Sequence, residues 1–276
     1  MPKHTHMEFG TLKDKVIVVT GGTGVLGASF VNSISRMGGK VVILGRKLQV
    51  AAERAAALEA AGGTAMAVMA DVLDISSLEA AKASILERFG RIDGLVNAAG
   101  GNMPGAVIAP EQDIFSLDVP AFNQVLSLNL QGTIHATQVF GPEIAKAGQG
   151  SIVNISSMTA QRAITKVMGY SIAKAAVDAY TRWFAVELAN RYGDKIRMNA
   201  IAPGFFITEQ NRRLLTNEDE SLTERGNLVI RQTPFKRFGE PEELEGALIW
   251  LLSNESKFVT GAILNVDGGF SVFGGV

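Results

Sequence analysis

The sequence predicts an α/β fold, a single domain built on a doubly wound parallel sheet of seven strands, and three observations lead there. Short β-branched runs alternate with longer stretches of helical character, the pattern of a parallel sheet covered on both faces. A glycine-rich loop follows the first of those runs and opens the first helix. No internal repeat, linker-like change of composition or low-complexity tract divides the 276 residues, a length within the range of one α/β domain with a large core.

Taken in order, a strand is expected over Lys15–Thr20, where five β-branched residues run together, and the glycine loop then leads into a helix over Val25–Met37. Strands at Lys40–Leu44, Thr64–Ala70 and Gly94–Asn97 alternate with helices near Leu48–Ala61 and Ser76–Phe89. A helix over Pro120–Ala147 leads to a strand at Ser151–Ile155, one over Gly169–Arg191 to a strand at Ile196–Ile201, and one over Glu242–Ser253 to the last strand, Ala262–Val266. Two stretches break the rhythm. Gly101–Val119, with its prolines and glycines, reads as an irregular loop over the carboxyl end of the sheet. Pro203–Pro234 carries a polar run from Thr208 to Arg213 and the acidic Glu218-Asp219-Glu220, for which a solvated surface is the better reading. Ligands of doubly wound sheets bind at the carboxyl ends of strands, so both stretches are placed to cover a substrate. The domain is therefore expected to span 1–276, with 10–14 as a lead-in and 203–234 as a substrate-covering insertion.

Composition excludes several classes. A net charge of −1 with scattered lysines and arginines gives no sign of a nucleic-acid or membrane partner. The absence of cysteine excludes disulfides and thiolate chemistry and fits a reducing cytoplasm. Met1–Lys15 lacks an apolar h-region, and no apolar run is long enough to span a bilayer. Of the three histidines, His4 and His6 have no further ligands at metal-site spacing and His135 stands apart, so no metal is expected.

The loop Thr20-Gly21-Gly22-Thr23-Gly24-Val25-Leu26-Gly27 contains Gly22-x-Gly24-x-x-Gly27 between a strand and a helix. Glycines in that order permit a tight turn, close approach of backbone to a pyrophosphate, and close helix packing, while helix N-terminal amides meet the anion. A dinucleotide is the favoured ligand. At the end of the second strand an acidic residue would accept hydrogen bonds from the ribose of NAD, but the chain reads Leu44-Gly45-Arg46-Lys47. Arg46, helped by Lys47, can meet the 2′-phosphate of NADP, so NADP is favoured; stacking of Arg46 on adenine keeps NAD open. Asp71-Val72 ends the third strand, where the carboxylate could bond the adenine amino group. Asn97-Ala98-Ala99-Gly100 ends the fourth, where small residues would let backbone approach the second ribose.

Tyr170 and Lys174 stand four residues apart, with Ser156-Ser157 upstream. In a helix they share a face. A neighbouring ammonium favours phenolate, so Lys174 is expected to draw the Tyr170 pKa toward neutrality and make the phenol a workable general acid or base. For the pair alone, two residues on a partly exposed helix is the plainer reading. The surrounding motifs change that balance.

Thr20–Gly27, Asp71, Asn97–Gly100, Asn129 in Ser127-Leu128-Asn129-Leu130, Asn154-Ile155-Ser156-Ser157, Tyr170-x-x-x-Lys174, Pro203-Gly204 and Asp267-Gly268-Gly269 together resemble the short-chain dehydrogenase/reductase family over nearly the full chain. The resemblance implies a Rossmann fold with seven parallel strands, an NAD(P)-dependent ketone–alcohol oxidoreductase, and usually a homotetramer. It implies a catalytic tetrad of Asn129, Ser157, Tyr170 and Lys174, with Ser157 chosen over Ser156 by its thirteen-residue separation from Tyr170. It also implies dinucleotide contacts from Gly21, Thr23, Gly24, Val25, Leu26, Gly27, Arg46, Asp71, Val72, Asn97, Ala98, Ala99, Gly100, Tyr170, Lys174, Pro203, Gly204, Phe206 and Thr208. In that mechanism Tyr170 gives a proton to the developing alkoxide, Ser157 bonds the same oxygen, Lys174 holds the nicotinamide ribose, and Asn129 fixes a relaying water. Two departures stand out. Val25 replaces a family glycine, with the middle glycine at Gly24, and the usual Asn-Asn-Ala-Gly has become Asn97-Ala98-Ala99-Gly100.

For the substrate, the loops offer Asn102, Gln161, Arg162, Lys166, Gln210, Asn211, Arg212 and Arg213, a polar and cationic set suited to a hydroxylated acid. Asn102, Arg162, Lys166, Gln210 and Arg212 are the candidates, with Arg162 or Lys166 expected to reach the mouth of the site. The loop sequences at 21–27, 98–102 and 202–212 resemble the mannonate oxidoreductase or fructuronate reductase branch of the family. Reduction of another small ketone, a ketogluconate or a 3-oxoacyl thioester, is the alternative, and a non-catalytic NADP(H) sensor is the reading from a different class. The helix after Tyr170 is apolar almost all round, so burial on both sides is expected, by the sheet and by a partner subunit or the 203–234 insertion.

Overall fold

The computed structural model describes residues 10–109, 111–208 and 211–275. Seven strands form one sheet: β1 (Val16–Thr20), β2 (Lys40–Gly45), β3 (Thr64–Met69), β4 (Gly94–Asn97), β5 (Gly150–Ile155), β6 (Ile196–Pro203) and β7 (Ile263–Val266). Their order is β3-β2-β1-β4-β5-β6-β7, with every neighbouring pair parallel. The helices are α1 (Val25–Arg36), α2 (Leu48–Ala60), α3 (Ile75–Phe89), α4 (Val119–Leu126), α5 (Gly132–Lys146), α6 (Met168–Tyr192), α7 (Arg212–Leu215), α8 (Glu224–Gln232) and α9 (Glu245–Leu252). The expected doubly wound, single-domain Rossmann architecture is what the chain adopts.

Alternation along the central strands builds two cores. Ile17 and Val19 of β1 pack with Phe30, Ile34, Ile43, Leu248 and Leu252 on one face, while Val16 and Val18 pack with Leu44, Leu78, Ile85, Phe140 and Ile144 on the other. Because β1 and β4 are buried throughout, both read in the sequence as continuous apolar runs rather than alternating ones. The lead-in is part of the fold: Leu12 is fully buried and its N–H donates to the Met37 carbonyl at 2.8 Å.

Two expectations are corrected. The single helix read over Pro120–Ala147 is interrupted by a π turn at Ser127–Gln131 between α4 and α5. The start is set by Asp118, whose carboxylate accepts from the Ala121 N–H at 2.9 Å. The 203–234 insertion is not irregular throughout; it contains α7 and α8, the latter capped by Thr223, whose hydroxyl accepts from the Gly226 N–H at 3.0 Å. Arg225 of α8 donates to the Thr165 carbonyl (3.1 Å) and Ile108 N–H to the Lys166 carbonyl (3.0 Å). Those bonds join the insertion, the segment before α6 and the loop after β4.

The chain runs outward from β1 to β3, then crosses back to β4. Between β1 and β4 the strand order reverses, and the crevice at their carboxyl ends is where such sheets bind ligands.

Candidate active site

The glycine loop lies at this crevice and is shaped by close approaches. Gly21 has φ +66°, and a Cβ there would sit 2.7 Å from the Ala98 carbonyl oxygen. At Gly27 a Cβ would lie 2.2 Å from the Gly21 carbonyl oxygen, so α1 packs on its own loop through a missing side chain. Gly22 is similarly confined by Ile43, at 2.9 Å. Gly24 is not: it is the N-cap of α1, and a Cβ there would meet its nearest neighbour at 3.4 Å. The steric requirement therefore rests on Gly21, Gly22 and Gly27 rather than on the Gly22-x-Gly24-x-x-Gly27 spacing. Val25 and Leu26 begin α1. The backbone cradle fits a pyrophosphate.

Thr20 ties this loop to the end of β4: its hydroxyl accepts from the N–H groups of Ala98 (3.1 Å) and Ala99 (3.2 Å). Thr23 sits over Gly45, whose absent Cβ would fall 2.8 Å from the Thr23 hydroxyl. Arg46 and Lys47 are exposed just beyond, at the head of α2. Arg54, not singled out from the sequence, reaches back from α2 and donates to the carbonyls of Gly22 (2.5 Å) and Gly24 (2.9 Å). The available signal was its place seven residues after Lys47, two turns along one helix face.

Asp71 follows β3; its carboxylate accepts from the Leu73 N–H at 2.9 Å, which holds the turn. Val72 is buried, and its carbonyl meets Nδ1 of His135 at 3.1 Å, so the histidine braces this turn from α5. The Asn97 side chain points into the interior, donating to Thr137 (3.1 Å) and Asn154 (2.9 Å), and Asn154 donates in turn to Thr181 at 2.9 Å. Beyond β6, Pro203 is buried and Gly204 has no room for a Cβ, which would stand 2.7 Å from Asp267 Cα. Phe206 is buried, and Thr208 N–H donates to Asn211 Oδ1 at 2.8 Å.

The expected catalytic groups come from three elements. The end of β5 presents Ile155, Ser156 and Ser157; α6 presents Tyr170 and Lys174; the π turn presents Asn129. Ser157 hydrogen-bonds the Tyr170 phenol. Ser156 instead donates to the buried carboxylate of Asp178 at 2.5 Å, which separates the roles of the two serines. Lys174 is buried, its Nζ donating to the Ile155 carbonyl at 2.7 Å and standing 5.5 Å from the centre of the Tyr170 ring. Asn129 is fully buried and clamps Gly101, accepting from its N–H (3.0 Å) and donating to its carbonyl (2.7 Å). A Cβ on Gly100 would fall 2.6 Å from Asn129 Oδ1 and 3.3 Å from Lys174 Nζ, so the glycine is what lets these two side chains meet.

One electrostatic expectation is overturned. Burial pushes the Tyr170 phenol up to about 12, with the bond to Ser157 the only counterweight, and Lys174 contributes nothing that draws it down. Burial likewise lowers Lys174 to about 8, against which the nearby Asp178 carboxylate acts. Desolvation outweighs the mutual effect because the ammonium is turned to the Ile155 carbonyl rather than to the phenol oxygen. At neutral pH Tyr170 is a phenol, a proton donor.

The candidate substrate residues are dispersed. Asn102 adjoins the Asn129 clamp, and its buried Oδ1 has no protein partner among the described residues. Arg162 is exposed and donates to the Phe273 carbonyl at 3.1 Å, which ties it to the C-terminal segment. Lys166 has φ +75° and is held through its backbone. Arg212 begins α7 and is exposed. Gln210 lies outside the described residues, as do His4 and His6.

A family model described as enoyl-(acyl carrier protein) reductase matches residues 24–271. The chain belongs to the short-chain dehydrogenase/reductase family. It is an NAD(P)-dependent oxidoreductase, as its relatives are. The oxidoreductase UxuB of Bacillus subtilis is 46% identical over 274 residues, covering 96% of this chain and 98% of that one. A Haemophilus structure proposed to be a D-mannonate oxidoreductase, with bound NAD, is 38% identical at a TM-score of 0.88, covering 96% and 98% of the two chains. A gluconate 5-dehydrogenase of Burkholderia cenocepacia, in complex with NADP and tartrate, is 30% identical at a TM-score of 0.85 with the same coverage. These oxidoreductases share the fold and extend over almost the whole chain. No helix among the described residues is long and apolar enough to cross a membrane.

Proposed function

We propose that this protein interconverts a ketone and a secondary alcohol on a sugar acid, fructuronate and mannonate being the pair, with NADP as its dinucleotide. The observation that carries the reaction type is the meeting of Ser157, Tyr170 and Lys174 beside Gly100 and Asn129 at the sheet's switch point. When bound, the dinucleotide supplies or accepts a hydride. Tyr170, uncharged at neutral pH, donates its proton to the oxygen on which charge develops during reduction. Ser157, already bonded to that phenol, orients the same oxygen and stabilises its charge. Lys174 holds the nicotinamide ribose, and the rigid Asn129–Gly101 clamp fixes the floor on which a relaying water is held. Arg46 and Lys47 meet the 2′-phosphate, while the glycine cradle and the backbone from Ala98 to Gly100 hold the rest of the dinucleotide.

The sugar-acid reading draws on the D-mannonate and gluconate names of two structural relatives and on the cation set of the loops. Among those cations Arg225 fits a substrate carboxylate better than Arg162. It is half-buried in the covering insertion and bonds the Thr165 carbonyl, five residues before Tyr170, and burial lowers its pKa with no carboxylate among the described residues to offset that cost. A planar guanidinium so placed suits bidentate carboxylate recognition.

Three measurements test the proposal. Tyr170→Phe is expected to lower turnover about 10²- to 10⁴-fold with the fold intact, and activity near that of the unaltered protein would remove the phenol from the reaction. NADPH and NADH oxidation assayed against fructuronate, ketogluconate and an acetoacetyl thioester tests the substrate; turnover confined to the thioester would overturn the sugar-acid reading. Arg225→Met is expected to raise KM for a sugar acid about tenfold or more while sparing a neutral ketone.

A further inference from the structure

The end of β5 and one face of α6 meet in three consecutive contacts. Ser157 bonds Tyr170, the Ile155 carbonyl takes the Lys174 ammonium, and Ser156 bonds Asp178. On the helix these partners are spaced i, i+4 and i+8, so they share one stripe. The first two belong to the reaction proposed above. The third has no part in it, and yet Asp178 is only 3% exposed. A carboxylate taken from water at that depth is costly unless charge and hydrogen bonds are supplied to it.

Burial pushes the Asp178 carboxyl above its ordinary range, and what faces it offsets part of that cost. Ser156 donates from β5 at 2.5 Å, Gln161 bonds the carboxylate from the turn after β5, and the cations near it are Lys174 and Arg182, one helical turn away on either side. Gln161 is itself fixed by a reciprocal pair of bonds with Asn265 of β7, at 3.0 and 2.9 Å. The carboxylate is thus held from the end of β5 and the turn after it, with β7 bracing that turn.

We infer that Asp178 is a positioning residue for the active site: through Ser156 its buried carboxylate sets the register of α6 against the end of β5, and it stands one helical turn from Lys174 as that lysine's counter-charge. This inference rests on the proposed reaction only in giving Lys174 its purpose; the electrostatic link stands apart from it. Removing the charge while keeping an acceptor for Ser156 lets Lys174 lose its proton at lower pH, because burial then acts on the ammonium without a compensating anion.

The test is a titration of the full-length protein followed by NMR of 13Cε-labelled lysine, with the Lys174 signal assigned through Lys174→Arg. The midpoint is expected near pH 8 in the unaltered chain. In Asp178→Asn it is expected about one pH unit lower, the scale of a single unit charge one helical turn away in a partly screened interior. Asp178→Ser carries the same expectation and replaces Asp178→Asn should that variant not fold. Ser156→Ala, which deletes the hydrogen bond and leaves the charge, is expected to keep the original midpoint. The alkaline limb of the pH profile for ketone reduction should move with the NMR midpoint. A folded Asp178→Asn protein with the Lys174 midpoint unmoved would overturn the inference, as would Ser156→Ala shifting it equally. Failure of the reaction reading shows separately, as retained turnover in Tyr170→Phe.

Discussion

Burial governs both titrating groups of the site, and the consequence is a division of labour between them. A phenol pushed up to about 12 remains protonated under all ordinary conditions, while a lysine lowered to about 8 titrates close to the working range. In the reaction proposed above, reduction draws on both in their protonated forms, so the lysine is the group expected to limit it as pH rises. Arg46 is exposed beyond Gly45, and no carboxylate stands at that turn to repel a 2′-phosphate. Arg46→Asp is expected to move the ratio of NADPH to NADH affinity toward NADH by about 10- to 100-fold, measured by fluorescence titration. An unchanged ratio would assign the discrimination elsewhere. Some residue roles were readable from spacing, as with Tyr170 and Lys174 on one helix face. Others were not: Arg225 and Asp178 acquire partners 60 and 22 residues away, and local pattern carries no trace of such pairings.

The elements of the site are strand ends and the loops that leave them. At Gly21 and Gly27 of the first loop the close contacts are backbone on backbone, where nothing can give. Gly27→Ala places a methyl 2.2 Å from the Gly21 carbonyl oxygen, and overpacking of this sort costs about 1–3 kcal/mol. Thermal unfolding and dinucleotide titration should both register it, with at least a tenfold loss of affinity for NADPH expected. Gly24→Ala, with its nearest contact at 3.4 Å, should bind NADPH within a few-fold of the unaltered protein. Equal losses in the two variants would mean that the loop makes a demand on Gly24 that sterics do not reveal. The π turn at Ser127–Gln131 is the element least legible beforehand. Helical periodicity runs unbroken through it, and the turn serves to bring Asn129 onto Gly101, a long-range contact. The helices of the insertion were hidden for another reason: α7 has four residues and α8 nine, with polar sequences whose helical state depends on docking.

At the scale of the whole molecule, α6 divides into two faces. Ala173, Lys174, Val177, Asp178, Thr181, Ala185 and Leu188 are buried, whereas Ile172, Trp183 and Val186 remain 45%, 64% and 59% exposed. The described part of the insertion leaves that outer face open, so a second copy of the chain is the proposed cover, in keeping with the homotetramer the family resemblance implies. Trp183→Glu is expected to reduce the mass seen by light scattering, with one chain as the limit, while circular dichroism stays the same; an unaltered mass would place the interface elsewhere. By itself the sequence determined the layered architecture, the succession of βαβ units, the phosphate loop and the tyrosine–lysine face, because each follows from residue spacing within one or two neighbouring elements. Tertiary structure alone decided the spatial order of the strands, which glycines are sterically confined, how burial acts on the two titrating groups, and which distant partners Arg54, Arg225 and Asp178 acquire. Those properties depend on what distant segments bring into contact and how much water they remove, and neither quantity is written locally along the chain.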